Sequence, residues 1–403
     1  MVNVAILGFG TVGSGVAEVL DMNSAAIDRR VNNELRLKYI LDVRDFPDSP
    51  YADKFVKDFS VIENDPEVDI VVETIGGAKI ALEFTTRAMK AGKSVVTSNK
   101  ELVATHGYEL LQLARENGVN YLFEASVGGG IPVLHPMGFD LGGNQITEVT
   151  GILNGTTNYI LTRMIRAGLT FDEALAEAQA KGYAEQDPTA DVEGEDACRK
   201  ICILAALAFG QHVYPQQVPT EGISRVTLED VAYAESRGLK IKLLGRCMRQ
   251  PDGKVCAFVA PHLVEGENPL AGVEDVFNAV AVNGNAVGDV MFYGRGAGKL
   301  PTASAVVADI VDIARDLHRD HFNSWGPGSE DLVASSDLVS SRWYVRAQST
   351  MDKARLACGE IQPLARSGAP AGEVAFLTAP MTEPQLRDRL SGMEVSSLFR
   401  VLD

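Results

Sequence analysis

The apolar positions of the first 130 residues fall into short runs separated by stretches of helical period. Val2–Leu7, Leu35–Asp42, Ile70–Thr74, Ser94–Ser98 and Asn120–Glu124 predict strands, and Ile70–Thr74 and Ser94–Ser98 are apolar enough to be buried. Gly13–Leu20, Thr85–Ala91 and Tyr108–Asn117 predict helices between them. Such a β-α-β rhythm implies an α/β fold with a doubly wound, Rossmann-type parallel sheet. From about residue 133 the pattern changes. Ile146–Leu153 alternates, as in a mixed sheet, and Asn158–Ala167 and Phe171–Lys181 have helical period. Asp196–Phe209 is apolar nearly all round and predicts a buried helix. Strands are expected within 238–292, including Cys256–Pro261 and Asp289–Tyr293, then a helix over Thr302–Leu317.

The Ser-, Gly- and Pro-rich stretch 323–341 reads as a linker. Beyond it the order is strand (Trp343–Ala347), helix (Met351–Cys358), strands (Ile361–Ala365, Glu373–Leu377), helix (Pro384–Leu390) and strand (Ser397–Leu402). That is the ferredoxin-like β-α-β-β-α-β plan. Four units follow: a dinucleotide domain at 1–132 plus 300–322, an α+β substrate and dimerisation domain at 133–299, the linker, and a tail domain at 342–403.

A chain of 403 residues supports two or three cores. Its net charge of −17 argues against a nucleic-acid partner, which needs a basic surface. An anionic cofactor remains compatible, because backbone amides can hold one. The start Met1-Val2-Asn3 enters a strand without a basic leader, and no apolar run spans a bilayer, so the expectation is a cytoplasmic protein with no membrane partner. The five cysteines are an odd number in a large chain, against a disulfide framework. Cys198 and Cys202 read as core, and the six histidines show no metal-ligand spacing.

Gly8-Phe9-Gly10-Thr11-Val12-Gly13 is a GxGxxG turn directly after a strand and opening a helix. In that context the glycines permit a tight turn, close approach of a pyrophosphate, and close strand–helix packing. A ligand-free βα turn is the plain alternative. At the end of the second strand, Asp42 suits a ribose hydroxyl and Arg44 a 2′-phosphate, so NAD and NADP both stay open.

Two segments carry candidate chemistry. Thr97-Ser98-Asn99-Lys100-Glu101 puts a lysine after a buried strand, at the edge of the sheet where ligands bind. Gly182–Lys200 crowds six carboxylates into twelve residues ahead of a buried helix. Acids favour a helix N-terminus without any function. Lys200, however, runs straight into Ile201-Cys202-Ile203-Leu204, so it is half-buried, and desolvation lowers a lysine toward proton-transfer range. Asp196, one turn earlier, would hold it.

Gly8–Gly13, Ser98–Glu101, Glu124–Pro132, Gly151–Asn158, Gly182–Lys200 and Tyr293–Gly298 together resemble homoserine dehydrogenase, in order, over residues 1–320; the Gly182–Lys200 segment is the most specific. The tail is similar to an ACT regulatory domain. The resemblance implies interconversion of L-homoserine and L-aspartate 4-semialdehyde with NAD or NADP. It makes Lys200 the proton-exchanging lysine, Lys100 the second active-site lysine, and Glu185, Asp191 and Asp196 the acids that hold the substrate ammonium and orient the lysines. Gly155 and Thr156 would approach the substrate, and Gly296 the cofactor. Glu124 with the carbonyls of Val127, Gly129 and Ile131 would hold a sodium ion, as oxygen ligands suit a hard cation. A homodimer through the second domain, or a homotetramer through the tail, is implied too. The tail departs from the ACT pattern at Gln348–Asp352, where no Pro-Gly turn is present, which favours an oligomer contact over an effector site. The alternatives are another Rossmann-class amino-acid dehydrogenase and a non-catalytic amino-acid sensor.

Overall fold

The computed structural model describes residues 1–317, 319 and 325–402. β1 (Val2–Leu7), β2 (Leu35–Leu41), β3 (Phe55–Val56), β4 (Ile70–Glu73), β5 (Ser94–Thr97) and β6 (Tyr121–Leu122) form a parallel sheet in the order β3-β2-β1-β4-β5-β6. The order reverses between β1 and β4, which opens a ligand crevice at their carboxyl ends. β1, β4 and β5 are buried along their whole length, because helices cover both faces. Ala5, Leu7, Val71 and Val95 pack toward Lys79–Lys90 and Lys100–Glu116, while Val4, Ile6, Val72 and Val96 pack toward Thr11–Met22 and Lys299–Arg315.

The helices differ from expectation mainly in where they start. The predicted Tyr108–Asn117 helix begins at Lys100, because the Asn99 side chain accepts from Leu102 N–H at 3.0 Å and caps it. The predicted Thr85–Ala91 helix begins at Lys79. A further helix, Ser24–Val31, follows the first one.

The remaining strands make one ten-stranded mixed sheet. They are β7 (Ile146–Ile152), β8 (Lys240–Arg249), β9 (Val255–Val264), β10 (Phe277–Gly284), β11 (Gly288–Arg295), β12 (Val333–Ala334), β13 (Trp343–Gln348), β14 (Ile361–Leu364), β15 (Glu373–Thr378) and β16 (Glu394–Leu402). The path is β11-β10-β7-β8-β9-β16-β13-β15-β14, with β12 on β9. The four tail strands are mutually antiparallel in the order β16-β13-β15-β14, with helices Met351–Cys358 and Glu383–Arg389 in the β-α-β-β-α-β places. The tail is not a detached unit: β16 pairs in parallel with β9, from Arg400 opposite His262 to Leu402 opposite Val264. Nor is the expected linker loose over its described part, 325–341. Trp325, Leu332 and Ser336 are buried there, and β12 hydrogen-bonds to β9. The expected boundary at 322/323 lies outside the described residues.

The helix Glu195–Phe209 lies against β7, β8 and β9 and touches the Lys100–Glu116 helix of the parallel sheet. Eleven of its fifteen residues are buried, since both sides of it are covered. That contact carries the acids and lysine of one sheet's helix to the lysine of the other's.

Candidate active site

The glycine turn has one job for each glycine. Gly8 sits at φ +91°, a conformation that glycine adopts without strain. A Cβ on Gly13 would lie 1.9 Å from Gly8 O, so only glycine lets the helix start against the strand. A Cβ on Gly10 would meet nothing within 4 Å, and the helix above it has no side-chain cap. Open space faces the N–H groups of the first turn, which fits a dinucleotide pyrophosphate. Thr74 Oγ1 braces this turn with bonds of 2.9 Å to both Leu7 O and Gly8 O.

Asp42 is already engaged. Its carboxylate accepts Phe9 N–H at 2.7 Å and both Nε and Nη2 of Arg44, at 3.0 and 2.9 Å. The Arg44 bonds hold its carboxyl well below the usual range, against burial. The Arg44 guanidinium stays exposed and lies over the Phe46 ring.

Asp196 is the centre of the second cluster. It is 4% exposed. Lys200 Nζ reaches its Oδ2 at 2.6 Å, and Lys100 Nζ reaches its Oδ1 at 2.5 Å. Burial would raise the Asp196 carboxyl, but the Lys200 and Lys100 charges outweigh it and hold the group well below the usual carboxylate range. Lys200 also donates to Leu153 O at 2.7 Å. Burial lowers the Lys200 ammonium below the ordinary lysine value, against the pull of Asp196. Lys100 is the more open of the two, with 40% of its side chain exposed.

Asn154 completes the cluster. Its Nδ2 donates to Asp191 Oδ1 at 2.7 Å and Asp196 Oδ2 at 2.9 Å. Its Oδ1 accepts Thr157 N–H and caps the helix Gly155–Ala167. Burial raises the Asp191 carboxyl, against the Asn154 bond. Asn154 was not among the residues assigned a role from the sequence. The signal for it is an Asn directly before a helix, which reads as a cap and hides a second task in the same side chain.

The other expected residues divide. Thr156 donates to Tyr183 O at 2.7 Å, and Gly155 lies against Val276 O, which a Cβ would approach to 2.7 Å. Gly296 abuts the Asn278 side chain and the Gly129 turn, so the two glycine loops meet. Glu185 is exposed, with its carbonyl accepting from Gln179. The Glu124 carboxylate is taken by three backbone N–H groups: Val133 at 2.5 Å, Leu134 at 2.9 Å and His135 at 2.6 Å.

Residues 8–124 match the family model for the NAD-binding domain of homoserine dehydrogenase, and residues 132–311 match the model for homoserine dehydrogenase itself. A homoserine dehydrogenase of Pseudomonas aeruginosa is 44% identical over 355 residues, spanning 86% of this chain and 82% of that protein. One from Neisseria gonorrhoeae is 39% identical over 98% of this chain and 95% of that protein. A crystal structure of a homoserine dehydrogenase from Thiobacillus denitrificans superposes with a TM-score of 0.91 at 37% identity, covering 100% of this chain and 98% of that one. With a dinucleotide crevice on one sheet and a shared-carboxylate lysine pair where the sheets meet, this chain belongs to the homoserine dehydrogenases, NAD(P)-dependent oxidoreductases.

Proposed function

We propose that Lys200 exchanges the proton of the substrate's C4 oxygen, with Asp196 holding it in place and Lys100 as the second active-site lysine, near nicotinamide and substrate. The observation that carries this reading is one buried carboxylate gripping two lysines with its two oxygens. Leu153 O and Asp196 engage two of the Lys200 N–H positions, which leaves one for substrate oxygen. Bound NAD(P) supplies the hydride acceptor or donor at C4. As L-homoserine is oxidised, Lys200 in its neutral amine form takes the hydroxyl proton on its lone pair; in reverse the ammonium returns that proton to the forming alkoxide. Asp191, steadied by Asn154, and Glu185 take the substrate ammonium, and Gly155 and Thr156 line its approach. Lys200→Ala is expected to lower kcat by about 10²–10⁴-fold in the reduced-nicotinamide absorbance assay. A native kcat in that variant sinks the assignment.

Phe9, Thr11, Val12 and Gly296 contribute backbone to the dinucleotide. Arg44 faces a 2′-phosphate, since Asp42 is committed to Phe9 N–H and to Arg44 itself. On that basis NADP is the favoured cofactor, and Arg44→Ala raises KM for NADP+ while leaving that for NAD+ near native. Sodium fits the carbonyls of Glu124, Val127, Gly129 and Ile131, a hard-oxygen set. A homodimer through the second domain is supported by the outer strand β11, where Met291 and Tyr293 are exposed. The tail strand order supports an ACT-like role as part of a larger assembly.

A further inference from the structure

Glu73 ends β4 beside the crevice, with no solvent exposure. It flanks Leu7 of β1 on one side and Thr97 of β5 on the other. Its Oε1 accepts Ile75 N–H and its Oε2 accepts the Thr97 hydroxyl, both at 2.6 Å. Thr97 Oγ1 in turn accepts Asn99 N–H at 2.9 Å. Asn99 Nδ2 donates back to Ile75 O at 3.1 Å and Gly77 O at 2.8 Å, closing a ring of bonds between the β4 and β5 exits. Asn99 also caps the helix whose first residue is Lys100.

We infer that Glu73 is a positioning residue for Lys100, acting through Thr97 and Asn99. Among the described residues its side chain makes no hydrogen bond to the glycine turn or to Asp196. This rests on the reading of Lys100 above. The Glu73 carboxylate accepts from both partners, which fixes the direction of the Thr97 hydroxyl. A glutamine keeps the oxygen for Ile75 N–H but donates to Thr97 Oγ1, so the bonds stay satisfied while the Thr97 hydroxyl is reversed and the ring is re-aimed. Burial pushes the Glu73 carboxyl up to about 7, and the titratable group facing it is Tyr121 of β6. Stability from protonated Glu73 is complete below the unfolded carboxyl value and lost as pH rises through about 7. The charge is thus a cost to folding above neutrality, and its retention there calls for another reason.

The test compares Glu73→Gln, Thr97→Val and Lys100→Ala in the full-length protein, reading kcat, KM for the dinucleotide, and Tm at pH 8. A misplaced group in an active site costs up to about 10²-fold in rate. Glu73→Gln is therefore expected to lose at least about tenfold in kcat, with dinucleotide KM near native, because Thr74 still braces the glycine turn. Its Tm at pH 8 should equal or exceed that of the native protein. Thr97→Val should show the same loss of kcat. Native kcat in both Glu73→Gln and Thr97→Val, or a Tm at pH 8 that falls together with kcat, overturns the inference. Lys100→Ala separates the two readings: native kcat there removes the Lys100 role, whereas its loss with Glu73→Gln unaffected removes only the Glu73 role.

Discussion

Gly10 and Gly13, three residues apart, show how residue-scale geometry separates folding from binding. Gly13 has no room for a Cβ, while Gly10 has φ −80° and empty space beside it. Gly13→Ala must push strand and helix apart, an overpacking cost of about 1–3 kcal/mol, so Tm is expected to fall. Gly10→Ala is expected to keep the native Tm and raise KM for the dinucleotide, since the added methyl occupies the pyrophosphate's space. A thermal melt and a cofactor titration on each variant check both outcomes; a lowered Tm in Gly10→Ala with unchanged KM would refute the assignment of that space.

At the scale of elements, the caps place the chemistry. Asn154 and Asn99 each end a strand exit and start a helix, and each aims the segment that follows. Asn154→Ser keeps an N-cap oxygen, and Ser and Asn are close in capping strength, so stability should change by less than about 0.5 kcal/mol. A serine lacks the amide that spans Asp191 and Asp196. Loss of kcat/KM without loss of Tm is the expected result, and parallel loss of both would reduce Asn154 to a cap. The start of the Lys100 helix was misplaced from periodicity for a related reason. Thr105, His106 and Gly107 interrupt the apolar period between buried Leu102–Ala104 and the rest of the helix, and the Asn99 cap rather than an unbroken apolar stripe decides where it begins.

Across the whole molecule, the tail is held by a buried ion cluster as well as by β16. Asp230 receives Arg346 Nε at 2.8 Å, Tyr344 Oη at 2.9 Å and Ser397 Oγ at 3.0 Å, and Arg346 also meets Glu373. Asp230→Ala leaves the buried Arg346 with Glu373 as its acid partner and removes its acceptor at 2.8 Å, at a cost of up to about 3–5 kcal/mol. Because the sheet is continuous through β9 and β16, that cost should lower a single calorimetric transition; a separate early transition of the tail would contradict the continuity.

The parallel sheet, the glycine turn and the buried helix Glu195–Phe209 were legible in the sequence because each is a local pattern: an apolar run, a fixed spacing, an all-round apolar period. Lys100, Asp191, Asp196 and Lys200 were legible as residue types at informative places. The sharing of Asp196 by the two lysines was not, since the pairing depends on contact between helices almost a hundred positions apart. The same limit hid Asn154 as a bridge, Glu73 as a brace, and the fusion of the tail to the second sheet. Periodicity reports which face of an element is buried; only the packed fold decides what it is buried against.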